Sequence, residues 1–174
     1  MKEQTKATWK VDTGHSSVGF KIRHMAIANV SGAFLHFEGQ AYSLSPDNFE
    51  GATVDFEIQT DSLNTNNTER DAHLRSELFF DVQRFPTISF KGRLIGNKLS
   101  GNLTIRNVTK EVSLEADFTG VGQGRFGDTR AGFELNGKIN RKDFGLTWSM
   151  LTEAGNLIVG EDVKLDMNIE LIQA

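Results

Sequence analysis

The chain has 174 residues, 38% of them hydrophobic, and its 17 glycines bring the apolar share to about half, the ordinary value for one compact globular domain. With 24% charged residues, thirteen Phe and no apolar run of membrane-spanning length, this composition excludes both a helical membrane span and a disordered chain. A net charge of −4 without a basic cluster excludes general nucleic-acid binding, and the absence of Cys removes disulfides, thiolate catalysis and Cys-ligated metal sites.

Met1 to Thr8 is polar and holds no apolar signal core, so residues 1–8 are read as an N-terminal tail and 9–174 as a single domain. If Met1 is the natural start, the chain is expected in the cytoplasm; a sequence that begins after a removed leader reads the same and would belong in the periplasm.

From there, period-two alternation dominates. Ser16 to His24 puts Val18, Phe20 and Ile22 on one face, Phe34 to Leu44 is apolar but less regular, and Ala52 to Ile58 aligns Val54, Phe56 and Ile58. Asp61 to Phe85 breaks the pattern; Thr68-Glu69-Arg70-Asp71 there fits a helix start, and Leu74 and Leu78 fall at i, i+4, which predicts one short helix over 69–78. Alternation then resumes with Ile88, Phe90 and Leu94, next Leu99, Leu103 and Ile105, and next Val112, Leu114, Ala116 and Phe118. Phe133, Leu135 and Ile139 follow, and the longest stretch sets Val163, Leu165, Met167, Ile169 and Leu171 against Lys164, Asp166, Asn168 and Glu170.

One dry and one wet face per strand is the mark of antiparallel pairing, since strands of a parallel sheet are covered on both sides. Short connections such as Ile95-Gly96-Asn97-Lys98 favour a meander. Eight long strands can fold as a sandwich or close into a barrel, and closure removes the exposed edges. The expected fold is therefore all-β, an eight-stranded antiparallel barrel with one short helix.

Gly122-Gln123-Gly124-Arg125-Phe126-Gly127 spells a dinucleotide-binding fingerprint, but alternation follows it instead of a helix, so it reads as a hairpin loop. His15, His24, His36 and His73 lack metal-ligand spacing, and no metal or cofactor is expected. Ser16 and His24 bound the apolar stripe of the first long strand. They are either a strand-end Ser and a hydrogen-bonded core His, or groups that meet a ligand's polar head at a cavity mouth. Arg70, Asp71 and His73 read as a cap with a local ion pair, and Arg141 in Asn140-Arg141-Lys142-Asp143-Phe144-Gly145 as either a structural Arg at a barrel end or a ligand anchor. Asn-x-Ser/Thr matches at Asn29, Asn66, Asn102 and Asn107 carry no weight without a leader.

No nucleophile elbow, thiol or metal motif is present, which makes binding the default over catalysis. An eight-stranded barrel is just wide enough to be filled by side chains or to hold one slender apolar ligand. Gly92, Gly101 and Gly137 on the inward face either leave room there or let the sheet bend.

Taken in order, Trp9-Lys10-Val11-Asp12-Thr13-Gly14-His15-Ser16-Ser17-Val18-Gly19-Phe20, Gly32-Ala33-Phe34, Ser62-Leu63-Asn64-Thr65, Arg70-Asp71-Ala72-His73-Leu74-Arg75-Ser76, Phe85-Pro86-Thr87-Ile88-Ser89-Phe90 and Asn140-Arg141-Lys142-Asp143-Phe144-Gly145 resemble the YceI-like family of bacterial polyisoprenoid-binding proteins. Phe79-Phe80-Asp81, Gly101-Asn102-Leu103-Thr104-Ile105 and Val108-Thr109-Lys110 extend the resemblance over residues 9–172. It implies an extended lipocalin-like barrel, often a homodimer, whose tunnel holds a long amphiphile: a polyprenyl diphosphate, an isoprenoid quinone or a fatty-acid derivative. Many members carry a secretion signal and act in the periplasm, whereas this sequence begins at the fold. The same resemblance implies tunnel-lining roles for Phe20, Phe34, Phe56, Phe90 and Leu103, and head-group roles for Ser16, His24 and Arg141. The expected activity is non-enzymatic binding, carriage or sequestration of such a lipid. The alternatives are an enzyme with His24 or His73 as acid or base and Arg141 on an anionic head, or a packed barrel serving as an interaction module.

Overall fold

The computed structural model describes residues 6–148 and 159–174. Its strands are β1 (Ala7–Val11), β2 (Ser17–His24), β3 (Ala28–Phe34), β4 (Phe37–Ser43), β5 (Thr53–Gln59) and β6 (Leu63–Asn64). After the helix α1 (Thr68–Arg75) come β7 (Thr87–Ile95), β8 (Lys98–Ile105), β9 (Val108–Gln123), β10 (Thr129–Asn140) and β11 (Val159–Gln173). All pairings are antiparallel, and β1-β4-β5-β7-β8-β9-β10-β11 closes into a ring of eight strands because β11 pairs with β1 as well as with β10.

The long last strand makes this closure possible. Leu171–Gln173 of β11 pair with β1, while its earlier part, from Val159 to Asn168, pairs with β2. β1 and β2 thus follow one another along a single edge of β11, separated by a 3-10 turn at Thr13–His15 that Asp12 caps by accepting from the Gly14 N–H. β3 and β6 continue outward from β2, and α1 follows β6 directly.

The strand count of the ring agrees with the sequence, but its membership differs. The expected polar tail over 1–8 is already β-structure from Ala7, which is buried as are Trp9 and Val11 on the same face; residues 1–5 lie outside the described residues. The single stretch expected from Phe34 to Leu44 is the end of β3, a turn and β4. β3 shows no apolar period in sequence because Gly32 stands at one of its inward positions.

The helix is shorter than the 69–78 expected. Asn67, not Thr68, is its N-cap and accepts from the Arg70 N–H at 3.0 Å. It ends at Arg75 because the Ser76 hydroxyl and N–H both turn back to the His73 carbonyl. Leu78 is left outside, half exposed. Asp71 is buried and accepts from both the N–H and the hydroxyl of Thr65, at 2.9 and 2.5 Å, so it ties α1 to the end of β6 instead of forming a local ion pair.

One end of the barrel is closed by the loop after β4. Phe49 on that loop stacks among Trp9, Phe118 and Phe133, with ring centroids 5.0 to 5.5 Å apart, a spacing that favours tilted and edge contacts. The Trp9 indole N–H donates to the Ser43 hydroxyl, which satisfies its one polar atom inside the plug.

Candidate functional site

The inner faces of the strands enclose a cavity of about 440 Å³. Its wall is almost wholly apolar, and the alternation seen in sequence is its cause: the residues expected on the dry face border the hollow, except Phe118, which is 48% exposed and does not. Phe56, Phe90 and Leu103 are cross-strand neighbours on β5, β7 and β8 and form one continuous row. Leu165, Met167 and Ile169 line the hollow from β11, four strands round the ring from β7.

The packing distinguishes a hollow barrel from a filled one. Leu94, Leu99, Leu114 and Leu135 are buried, but Phe20, Val54, Phe56, Ile58, Leu165, Met167 and Ile169 are only partly so, although they point inward. In a close-packed interior such side chains would touch neighbours on all sides. Here they retain accessible surface because they face the cavity. The inward glycines do not all add room: a side chain at Gly92 would collide with the Phe90 ring, and one at Gly137 with Leu114. At Gly32 a Cβ would strike the ring of Phe20, its cross-strand partner, so glycine there lets the aromatic lie flat on β3.

Phe20, Phe34, Phe56, Phe90 and Leu103, the residues expected to line a tunnel, all border this cavity. The three residues expected near a head group fare differently. His24 lines the cavity and is exposed, as is Arg23 beside it, so the cavity reaches the surface at the end of β2. Ser16 is not among the lining residues. It sits just ahead of β2, where the 3-10 turn has interrupted the alternation, and its hydroxyl accepts from the Glu170 N–H at 3.0 Å and donates to the Glu170 carbonyl at 3.4 Å.

Arg141 lines the cavity but is 2% exposed, and its guanidinium donates to backbone carbonyls. It donates to the carbonyls of Gly160 at 2.7 Å, Leu146 at 2.6 Å, Trp148 at 2.8 Å and Val159 at 3.4 Å. It therefore staples the 3-10 turn Arg141–Phe144 and its sequel to the start of β11. Burial pulls its pKa down, opposed by the Glu161 carboxylate, whose own pKa is lowered by a hydrogen bond from Lys142.

Several wall residues lie outside the regular strands and were not anticipated. Leu74 and His73 of α1, Phe79 and Phe80 after it, and Trp148 border the cavity. The His73 ring meets Trp148 edge-on with centroids 4.7 Å apart and Phe79 at 5.3 Å, so it is packed as an aromatic wall element. Arg70 also borders the cavity, while its Nε and Nη2 donate to the hydroxyl and carbonyl of Thr65. The one visible signal for this wall was Phe79-Phe80, an apolar pair inside a polar segment.

A second polar cluster lies on the outer surface. Arg130 Nη1 donates to Asp12 at 2.6 Å and Glu170 at 2.7 Å, its Nε donates to Asp128 at 2.9 Å, and His15 Nδ1 lies 2.7 Å from Asp12. Asp12, His15 and Glu170 could in principle ligate a cation. Arg130 already supplies the positive charge there, and its hydrogen bond, with that of His15, holds the Asp12 pKa below the ordinary value. The glycine-rich fingerprint is a hairpin loop, with the Gly124 N–H donating to the Asp128 carbonyl and β10 following at once.

Comparison with known proteins follows the same outline. The YceI-like domain matches residues 9–171. A UPF0312 protein of Yersinia enterocolitica is 37% identical over 97% of this chain and 88% of its own length. The solved YCEI protein of Campylobacter jejuni is 34% identical, covers 100% of this chain and 99% of its own, and superposes with a TM-score of 0.72. A polyisoprenoid binding domain from Saccharophagus degradans has the same fold at 14% identity, with a TM-score of 0.72 and coverage of 95% of this chain and 98% of that one.

Proposed function

The chain belongs to the YceI-like family, and from that premise we propose that its barrel carries or sequesters one long amphiphilic lipid, an isoprenoid or fatty-acyl chain, without transforming it. The observation that carries this reading is the apolar hollow bordered by inward side chains that remain partly accessible. The likeness to a polyisoprenoid binding domain adds to it. The tail enters the row of Phe56, Phe90 and Leu103, and the head stays near the exposed His24 and Arg23.

This arrangement makes tail length the main determinant of affinity. Each buried methylene contributes about 0.8 kcal/mol, while a head group held at the surface exchanges water contacts for protein contacts with little net gain. In a series of isoprenoids with a common head, each added isoprene unit should tighten binding by at least about tenfold until the cavity is full, after ordering costs are subtracted. Changing an alcohol head to a diphosphate on a fixed tail should change affinity less than one isoprene unit does. A displacement assay that ranked ligands by head and ignored the tail would refute the reading. A homodimer is proposed with it and would be read from the native mass of the protein.

A further inference from the structure

We propose that the β2–β3 hairpin end docks the barrel on an anionic lipid bilayer, so that a lipid passes between membrane and cavity without crossing water. Met25, Ala26 and Ile27 join β2 to β3; Ile27 is 79% and Met25 43% exposed. The Ile27 N–H donates to the His24 carbonyl, and Met25 and Ala26 both have positive φ, 53° and 60°. This is the turn pattern that favours Asn-Gly, and L side chains adopt it reluctantly. The sequence thus places apolar groups at a tip where turn chemistry calls for polar or glycine residues, and strain of this kind clusters at functional sites.

The tip stands beside the point where the cavity reaches the surface, since His24 and Arg23 immediately precede it and line the cavity. Charge then selects the partner. From Ser17 to Phe34 the hairpin carries Lys21, Arg23 and His24 and no carboxylate, in a chain of net charge −4. On the strand packed against it, Lys164 stands opposite Lys21, Asp166 opposite Gly19, and Glu161 and Asp162 are held by Lys142 at 3.0 Å and Lys138 at 3.6 Å. An apolar tip with cations behind it matches an anionic bilayer surface, where apolar side chains enter the interface and Lys or Arg meet the head groups. The inference takes its purpose from the lipid-carrier reading, but docking is measured independently of lipid retention.

The test is flotation of the full chain with vesicles of phosphatidylcholine alone or with about one third phosphatidylglycerol. Binding to the anionic vesicles should exceed binding to the neutral ones by at least about tenfold and should fall in about 0.5 M salt. Ile27→Glu and Lys21→Glu should each reduce it by at least about fivefold. Phe126→Glu, a change at an equally exposed apolar tip away from the cavity, should leave it unchanged. None of these residues lines the cavity, so uptake of a lipid delivered from ethanol should persist in every variant that retains its β-sheet circular dichroism. Wild-type protein that ignores anionic vesicles, or an Ile27→Glu variant that binds them as well as wild type, would overturn the proposal. So would a finding that Ile27→Glu only dissociates a dimer. Vesicle binding by a protein that retains no lipid would support docking and count against the carrier reading alone.

Discussion

Phe56→Glu with Phe90→Glu should abolish retention of a long-chain lipid, lowering affinity by at least about a hundredfold. The two rings are cross-strand neighbours in the middle of the wall, and Leu103 extends their row. Carboxylates there would either draw water into the hollow or present an ionised group to an alkyl chain, and both outcomes remove the apolar surface that holds the tail. Because Phe90 is itself buried, a second variant separates loss of binding from loss of fold. Met167→Trp adds bulk from β11, across the ring from Phe90, at a residue that borders the cavity and is only partly buried. It should occupy space a lipid needs while leaving thermal stability equal or higher. Retention unchanged in both variants would place the ligand outside the barrel.

Arg141→Met should be the most destabilising single change among the cavity residues. Among the described residues the guanidinium serves four backbone carbonyls, those of Leu146, Trp148, Val159 and Gly160, across two segments of the chain. Its removal leaves one buried and three partly buried carbonyls without that donor, a loss of about 3–5 kcal/mol in total at about 1–3 kcal/mol for each acceptor that water does not reach. For a protein of this size that corresponds to a fall in Tm of roughly 10 °C. Arg141→Lys should recover little, because an ammonium cannot span the same set of acceptors. A head-group anchor would behave in the opposite way, with affinity lost and Tm preserved, so parallel melting and binding curves decide the role of this residue.

The fold is legible because its dominant device, one apolar face per strand, is written at period two in most strands between Val18 and Leu171, interrupted over 61–85. Closure also followed from physical reasoning, since eight such strands leave costly edges unless they meet. Two kinds of element were harder to read. β3 carries Gly32 at an inward position so that Phe20 can lie across it, and the sequence shows only the missing side chain, not the ring that replaces it. β1 is short, and its alternation of Ala7, Trp9 and Val11 is masked in sequence by the polar stretch from Met1 to Lys6 that runs into it.

Lining residues on strands were equally legible, because inward parity and cavity wall are the same property in a hollow barrel. Polar residues were not. Ser16 shares parity with His24 on paper, but a 3-10 turn ends just before it and its hydroxyl goes to the Glu170 backbone. In sequence Arg141 reads equally as staple or anchor, and the positions of the Leu146, Trp148, Val159 and Gly160 carbonyls favour the staple. The wall supplied by Leu74, Phe79, Phe80 and Trp148 comes from segments without strand periodicity, so beyond the apolar pair Phe79-Phe80 no local pattern assigns those side chains to the interior.

Native mass spectrometry of freshly purified protein, followed by organic extraction, tests the central claim most directly. The account predicts a stoichiometric mass excess that is released on extraction and identified as a long isoprenoid or fatty-acyl lipid, or an apo protein that gains such a mass when polyprenyl diphosphates, quinones or fatty acids are added. A clean apo mass that none of these additions shifts would contradict it.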